Sequence, residues 1–239
     1  MTKLEEFSRE AARRYLQSAV FVDDDIFDKH SGKPVNPVDL LTPRKPLYVP
    51  EDSVHIEDSK SLEADENVQS YHPRELVSSF AQEGIICALY EPPSDFPTEP
   101  GSEIFKLCER ADIIILDWIF SGDRGEKVLN LLSAIMKQSR DELPHHTRLL
   151  SIYTTDPSLE GVANSIGDRL RRDGFEAEPV RSPCRLQAGA IRLVVFGKEG
   201  KRFGKDEEEF TVSDSDLAKR IINEFVEMNA GILPSYALH

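Results

Sequence analysis

The sequence contains few residues of the kinds that build disulfide-bonded or membrane-spanning proteins. Only three cysteines occur in 239 residues, far apart and without metal-type spacing, which favours reduced, buried thiols over a disulfide framework or a zinc site. No apolar run approaches the ~18 residues needed to cross a bilayer, and the start, "MTKLEEFSRE", has no apolar signal-peptide core. We therefore expect a soluble, cytoplasmic protein that does not bind membranes.

Basic residues are also in deficit. The chain has 29 Lys and Arg against 43 Asp and Glu, a formal net charge of −14. A protein whose main partner is nucleic acid or an anionic membrane needs a positive surface. The composition therefore argues against both as partners of this domain, and the length suits one large domain or one domain with additions.

Apolar residues alternate along the chain between strand-like runs and helical patterns. This alternation is typical of an α/β domain with a mainly parallel sheet covered by helices on both faces. The predicted strands are 18–22, 85–91, 112–117, 148–154 and 190–198. The predicted helices are 1–16, 72–84, 101–111, 124–140, 157–174 and 213–229.

One long segment, about 28–71, lacks any periodicity. It begins rich in proline and continues as a polar, acidic stretch, and a stretch of this length without secondary structure is uncommon inside a compact domain. We interpret it as an insertion after the first strand of a domain that spans 17–230. Residues 231–239 are predicted to be a tail, and their apolar character suggests the hypothesis that the chain is a fragment whose effector domain follows.

Four predicted strands end in polar residues. In parallel sheets the ligand crevice lies beyond the carboxyl ends of the strands, so these side chains are expected to meet. Clustered carboxylates repel one another, and a hard cation such as Mg²⁺ relieves that repulsion. A carboxylate beside such a metal can attack a phosphoryl donor, while a hydroxyl and an ammonium hold the transferred oxygens. The residues are Asp23, Asp24, Asp117, Thr154 and Lys198.

Each of these residues also has a common structural explanation. An acidic run after a strand is usually a solvated turn, Asp117 fits a turn or helix cap equally well, and an isolated lysine such as Lys198 is usually on the surface. Thr154 and Thr155 precede Asp-Pro and suit a turn that caps the next helix. The functional interpretation depends on their order and on each falling just past a strand.

The motifs "VFVDDD" and "IIILDWIFSGDRG" resemble those of the response-regulator receiver domain. Gly125 lies eight residues after Asp117, where that family has a loop glycine, and Trp118 follows the acid as in some receivers. The N-terminal helix and the insertion resemble a divergent receiver group that heads longer prokaryotic signalling proteins, some linked to phage defence. The resemblance implies a flavodoxin-like, doubly wound, five-stranded parallel sheet with the strand order 2-1-3-4-5.

The resemblance also implies a role for each residue of the site and a set of partners. Asp117 would be the phosphoacceptor, Asp24 a direct Mg²⁺ ligand, and Asp23 a ligand acting mostly through water. The backbone carbonyl of Ile119 would be a further ligand. The phosphoryl-binding residues would be Thr154 and Lys198. The partners would be a histidine kinase or phosphotransfer protein, an effector domain in the same polypeptide, and a second copy of the chain in a homodimer.

The sequence departs from the receiver pattern near the acceptor and near the lysine. Ser121 stands where the family has a loop proline, Glu199 follows the lysine in place of a proline, and Val195 occupies the position of the usual switch aromatic. Arg181, in "GFEAEPVRSP", is an alternative to Lys198. We prefer Lys198 because its run is more strand-like and because Pro179 disfavours a central strand.

Two other functions remain open at this stage. In a haloacid-dehalogenase-like phosphatase, Asp23 and Asp25 would form the required D-x-D, although Asp117 would then have no role. The second is a receiver-like interaction module, which has the same fold but is never phosphorylated. The absence of the loop proline and of the switch aromatic favours this function. Secondary candidates for the site are Asp25, Thr155 and Arg181.

Overall fold

The computed structural model describes residues 3–26, 73–120, 122–144 and 146–229. The predicted insertion at 28–71 and the predicted tail at 231–239 lie outside the described residues. No helix within the described ranges is both long and apolar enough to cross a membrane.

The described residues form six α-helices and eight β-strands. The helices are α1 (Lys3–Tyr15), α2 (Pro73–Gln82), α3 (Glu103–Cys108), α4 (Glu126–Glu142), α5 (Leu159–Arg172) and α6 (Leu217–Asn229). The strands are β1 (Ser18–Val22), β2 (Ile86–Tyr90), β3 (Ile113–Leu116), β4 (Arg148–Thr154), β5 (Glu178–Pro179), β6 (Arg185–Ala188), β7 (Ile191–Lys198) and β8 (Thr211–Val212).

All eight strands belong to one sheet, in the order β2-β1-β3-β4-β7-β6-β5, with β8 pairing with β7. The strands β2, β1, β3, β4 and β7 are mutually parallel. This part of the sheet has the predicted order, with β7 as the fifth strand. The prediction of an α/β fold with a mainly parallel sheet is therefore confirmed, whereas the predicted number of five strands is wrong.

The additional strands extend the sheet beyond β7. β6 runs antiparallel to β7 and β5 runs antiparallel to β6, forming a hairpin between α5 and β7, while β8 is parallel to the end of β7. These strands have only two to four residues, too few for alternation to indicate a strand. Pro179 lies in β5 at the edge of the sheet, where a residue without an N–H is tolerated.

The core lies on both faces of the central strands. Every residue of β3, β4 and β7 is buried, as expected for parallel strands covered by helices on each side. The additional helix α1 packs on α6, where the ring of Tyr15 stacks on that of Phe225 at a centroid distance of 5.8 Å. The N-terminal helix therefore adds to the helical layer that contains α6.

The three cysteines lie within this framework as free thiols. Cys108 and Cys184 are buried and Cys87 is half-buried. Burial raises the pKa of Cys108 to about 12, so this thiol stays protonated and behaves as a small apolar side chain.

A buried polar network closes the amino ends of β1, β3 and β4. Asp112 Oδ2 accepts hydrogen bonds from the backbone N–H of Gln17 at 2.9 Å and of Ser18 at 3.0 Å, and Asp112 Oδ1 lies 3.1 Å from His146 Nε2. Arg148, which is fully buried, donates to His146 Nδ1 at 2.8 Å. Burial opposes the ionisation of Asp112, but these hydrogen bonds outweigh it and lower the pKa of the carboxyl.

Candidate functional site

Two aspartates lie side by side where β1 and β3 end. Val22 and Leu116 are register partners at the last position of the two strands, so Asp23 and Asp117 follow at matching positions. The backbone N–H of Asp117 donates to the carbonyl of Val22 at 2.9 Å. Because side chains alternate along a strand, both carboxylates project to the same side of the sheet as Phe21.

Three carboxylates form the acidic part of the site. Asp23, Asp24 and Asp117 each offer an oxygen, and these oxygens lie within 4.8 Å of one another. The loop backbone orients two of them, since Asp23 Oδ1 accepts from the N–H of Asp25 at 2.9 Å and Asp117 Oδ2 accepts from the N–H of Ile119 at 3.2 Å. We call this set the acid cluster.

Lys198, the last residue of β7, supplies the positive charge. Its Nζ lies 3.0 Å from Asp23 Oδ2 and 2.9 Å from Asp117 Oδ1, and the residue is only 5% exposed. β4 lies between β7 and β3, so the lysine side chain reaches across one strand. Its ammonium passes 5.6 Å from the ring centroid of Tyr153 in β4.

Burial shifts the pKa values of three charged groups in the site. Burial, and next the neighbouring Asp23 carboxylate, raises the pKa of Asp117 well above its ordinary value. Burial likewise raises the pKa of Asp23, although Lys198 opposes this, and burial lowers the pKa of Lys198. Among the described residues, Lys198 is hydrogen-bonded to both Asp23 and Asp117. The three hard oxygen donors of the acid cluster, at this spacing, suit Mg²⁺.

Thr154 ends β4 at the same edge of the sheet. It is fully buried, and its Oγ1 accepts from the N–H of Asp156 at 3.1 Å. Ser158 then caps α5, its Oγ accepting from the N–H of Gly161 at 3.1 Å. Thr154 therefore forms the turn that the structural explanation required, and its hydroxyl proton remains available for donation because the oxygen acts as an acceptor here.

The secondary candidates do not join the acid cluster. Asp25 and Thr155 are exposed, and Asp25 contributes its backbone N–H rather than its carboxylate. Arg181 lies in the turn between β5 and β6, where its side chain is 77% exposed and 3.6 Å from Glu227. The structure therefore places Lys198, and not Arg181, beside the aspartates.

The loop after the acceptor strand is fixed by close packing. Trp118 is only 5% exposed, and a Cβ at Gly125 would lie 2.3 Å from its indole ring. Gly125 also has a φ of +83°, so glycine is required at this position for both reasons. Ser121 lies outside the described residues.

The sequence reasoning missed Asp123, which organises the same loop. Its Oδ1 accepts from the N–H of Phe120 at 3.0 Å, and its Oδ2 accepts from the N–H of Lys127 at 2.8 Å. The N-cap of α4 is Gly125, and an aspartate just before a helix start is a signal for a side chain that accepts from free backbone N–H groups. It also missed Tyr153 and Asp214, because their contact depends on how β8 docks.

Comparison with known families shows the family to which the chain belongs. A family model described as "Response receiver domain" matches residues 15–203, more than three quarters of the chain. The match includes β1, β3, β4 and β7 and the polar residues at their ends. The chain belongs to the response receiver domain family. No curated protein and no solved structure matches the chain.

Asp23, Asp117, Thr154 and Lys198 all lie at one end of the parallel strands of this receiver domain. The matched region ends at residue 203, before β8 and α6. β8 nevertheless pairs with the end of β7, and Lys198 is the register partner of Val212. The receiver domain is thus completed by a segment that the family model does not include.

Proposed function

We propose that this receiver domain accepts a phosphoryl group on Asp117 with the help of Mg²⁺ and passes on a conformational signal. The observation that carries the proposal is the position of Lys198, whose ammonium lies 3.0 Å from Asp23 and 2.9 Å from Asp117 after reaching across β4. A buried lysine between two carboxylates of a three-carboxylate cluster is suited to binding an incoming anion.

The donor is a phosphohistidine on a histidine kinase or phosphotransfer protein. A carboxylate oxygen of Asp117 attacks the phosphorus, and a new O–P bond forms as the P–N bond of the donor breaks. The electron pair of that bond remains on the imidazole nitrogen, and Asp117 becomes an acyl phosphate. Burial opposes charge on Asp117. It also excludes water from the site, which strengthens the electrostatic contacts to the phosphoryl group.

The residues that would hold Mg²⁺ are the three aspartates of the acid cluster and the backbone carbonyl of Ile119. When bound, the ion supplies positive charge to the oxygens of the phosphoryl group during transfer. Lys198 would pair with one phosphoryl oxygen, and the hydroxyl of Thr154 would donate to another.

The phosphatase alternative has less support from the site. It needs Asp23 and Asp25 in one pocket, yet Asp25 is exposed and lies outside the acid cluster. It also gives no role to Asp117, whose Oδ1 shares the lysine with Asp23. An interaction module without phosphorylation has the same geometry, so an experiment must separate it from the phosphoacceptor.

The fluorescence of Trp118 provides that experiment. It is the only tryptophan and directly follows the proposed acceptor. We expect its emission to change when Mg²⁺ is titrated in and to change again when acetyl phosphate is added. The Asp117→Asn protein should lose the second change, whereas Asp25→Asn, which removes an exposed acid beside the cluster, should keep both.

Each alternative has its own outcome. If acetyl phosphate leaves the wild-type emission unchanged and no phosphoryl group is retained on the protein, the phosphoacceptor proposal is wrong and the interaction module is favoured. Steady release of phosphate from esters, abolished by Asp25→Asn, would instead support the phosphatase.

A further inference from the structure

Tyr153 connects the site to a part of the receiver domain outside the matched family region. It is the residue before Thr154 in β4, is 1% exposed, and projects to the side of the sheet that carries Phe21. The two rings meet edge to face at a centroid distance of 6.3 Å. Tyr153 therefore lies directly beneath the lysine that crosses β4.

The hydroxyl of Tyr153 has one proton and two acceptors. Its oxygen lies 2.9 Å from Asp214 Oδ1 and 3.0 Å from the carbonyl of Val212. Burial, and next the Asp214 carboxylate, raises the pKa of Tyr153 far above its ordinary value, so the phenol remains a donor. Val212 O also accepts from the N–H of Glu199 at 3.1 Å, so it stays satisfied whichever acceptor the hydroxyl selects.

Both acceptors belong to the segment that leads into α6. Val212 is in β8, and Asp214 is in the turn before Leu217, where α6 begins. That turn is closed by Asp216, whose N–H donates to Ser213 O at 3.2 Å. The tyrosine hydroxyl is thus a side-chain link between β4 and the start of α6.

Lys198 contacts the same unit from the other side. Its backbone is paired with Val212 across the β7–β8 ladder, and its ammonium lies 5.6 Å from the Tyr153 ring, within the range of a cation–π interaction. Asp214 also influences Lys198 electrostatically. A displacement of the lysine therefore acts on the ring, on β8 and on the carboxylate that holds the tyrosine hydroxyl.

We propose that Tyr153 and Asp214 transmit the phosphorylation state of Asp117, through Lys198, to β8 and the first turn of α6. This inference rests on the proposed phosphoacceptor function. An acyl phosphate adds charge at Asp117, and in the described part of the chain the ammonium between Asp23 and Asp117 is the cation placed to follow it. The tyrosine hydroxyl then moves from Asp214 to Val212 O and releases the turn before α6.

The two acceptors make this a discrete change between two arrangements. With the hydroxyl on Asp214, the carboxylate ties the turn before α6 to the sheet. With the hydroxyl on Val212 O, the tyrosine no longer ties Asp214 to the sheet, and the turn opens more readily. Tyr153 is therefore a positioning residue, and it does not contact the phosphoryl group.

Hydrogen exchange of the full chain tests this inference, with beryllofluoride and Mg²⁺ as the mimic of the phosphoryl group. We expect amides in 213–220 to exchange faster by about fivefold or more in the loaded state, the lower end of typical allosteric coupling. Trp118 fluorescence in the same samples measures the binding of beryllofluoride at the site. Binding at the site and the change in exchange at 213–220 are therefore measured separately.

The variant Tyr153→Phe removes the hydroxyl but keeps the ring beneath Lys198. It should load with beryllofluoride as the wild type does, judged by Trp118, and show no change in exchange at 213–220. The matched control is Tyr90→Phe, which also deletes a tyrosine–carboxylate bond, here to Glu103 at 3.0 Å. This control should keep the wild-type exchange difference.

Asp214→Ala tests the link from its other end and serves if Tyr153→Phe folds poorly. It should load normally and lose the exchange difference. A wild-type exchange difference in Tyr153→Phe or Asp214→Ala would overturn the inference, as would a wild type that loads without any change at 213–220. Both results leave the phosphoacceptor function intact. A wild type whose fluorescence does not respond to beryllofluoride would overturn the function and, with it, this inference.

Discussion

The two ends of the parallel sheet both bury an aspartate, yet they treat its charge in opposite ways. At the amino end, Asp112 accepts from two backbone N–H groups and pairs with His146, and its pKa is lowered. At the carboxyl end, Asp117 faces another carboxylate, and burial together with Asp23 raises its pKa. The fold therefore favours the charged form of Asp112 and disfavours the charged form of Asp117.

This difference favours a structural role for Asp112 and agrees with the functional role proposed for Asp117. A buried carboxylate whose acceptor capacity is filled by the protein stabilises the fold and has nothing left to bind. Asp23 and Asp117 share one lysine, and burial together with Asp23 raises the pKa of Asp117; perturbed pKa values of this kind cluster at functional sites. The same substitution at each end should therefore have opposite consequences.

The largest effect on stability is expected from Asp112→Asn. The amide must turn its NH₂ group towards either the backbone donors or His146, so one set of donors loses its acceptor. We expect the free energy of unfolding to fall by about 2 kcal/mol. Urea denaturation at neutral pH measures this, and a loss well under 1 kcal/mol would mean that the amino-end network is not structural.

Mg²⁺ should stabilise the folded protein by binding the acid cluster at the carboxyl end of the sheet. If the acid cluster binds the ion only in the folded state, Mg²⁺ at ten times its dissociation constant adds about 1.4 kcal/mol. Thermal unfolding with and without Mg²⁺ measures this shift. Asp24→Asn should lose most of the shift, whereas Asp25→Asn should retain it; an equal shift in both variants would place the ion elsewhere.

Asp117→Asn should change stability in the direction opposite to Asp112→Asn. In buffer free of divalent cations it removes one of three mutually repelling carboxylates, while its amide oxygen can still accept from Lys198. We expect the free energy of unfolding to rise by about 1 kcal/mol as this like-charge repulsion is relieved. Destabilisation by this variant would contradict the contrast between the two ends.

The smallest effect is the pH dependence of the Asp112 contribution. The folded-state pKa of Asp112 is depressed, so its stabilisation is complete above the unfolded-state pKa of about 3.9 and is lost as the pH falls through the lower folded-state value. The free energy of unfolding of the wild type should therefore exceed that of Asp112→Asn by a constant amount from neutral pH down to about pH 5. This excess should shrink below about pH 4. If the difference in free energy of unfolding shrinks above neutral pH instead, a group other than Asp112 is responsible for it.

The sequence predicted the parallel strands and their flanking helices because these are long and strongly patterned. The run that ends at Asp117 and the run that ends at Lys198 are both buried throughout, so continuous apolar character was a sufficient signal. The hairpin β5–β6 and strand β8 were missed because a strand of two to four residues carries no period.

The role of a side chain was predictable only where its residue type, at the end of a buried strand, has few structural explanations. The sequence singled out the aspartates and Lys198 by that logic, and the structure brings them together. Asp112 gave no such signal, because its role depends on backbone donors ninety-five residues away at Gln17. Tyr153 was equally hidden, since its partners Val212 and Asp214 lie about sixty residues further along the chain.

The central claim is tested most directly by intact-protein mass spectrometry after incubation with acetyl phosphate and Mg²⁺. The wild type and Asp112→Asn should each gain the mass of one phosphoryl group, and hydroxylamine should remove it because an acyl phosphate is the expected product. Asp117→Asn should gain none. Equal phosphorylation of Asp117→Asn, or a modification that resists hydroxylamine, would contradict the assignment of Asp117 as the acceptor.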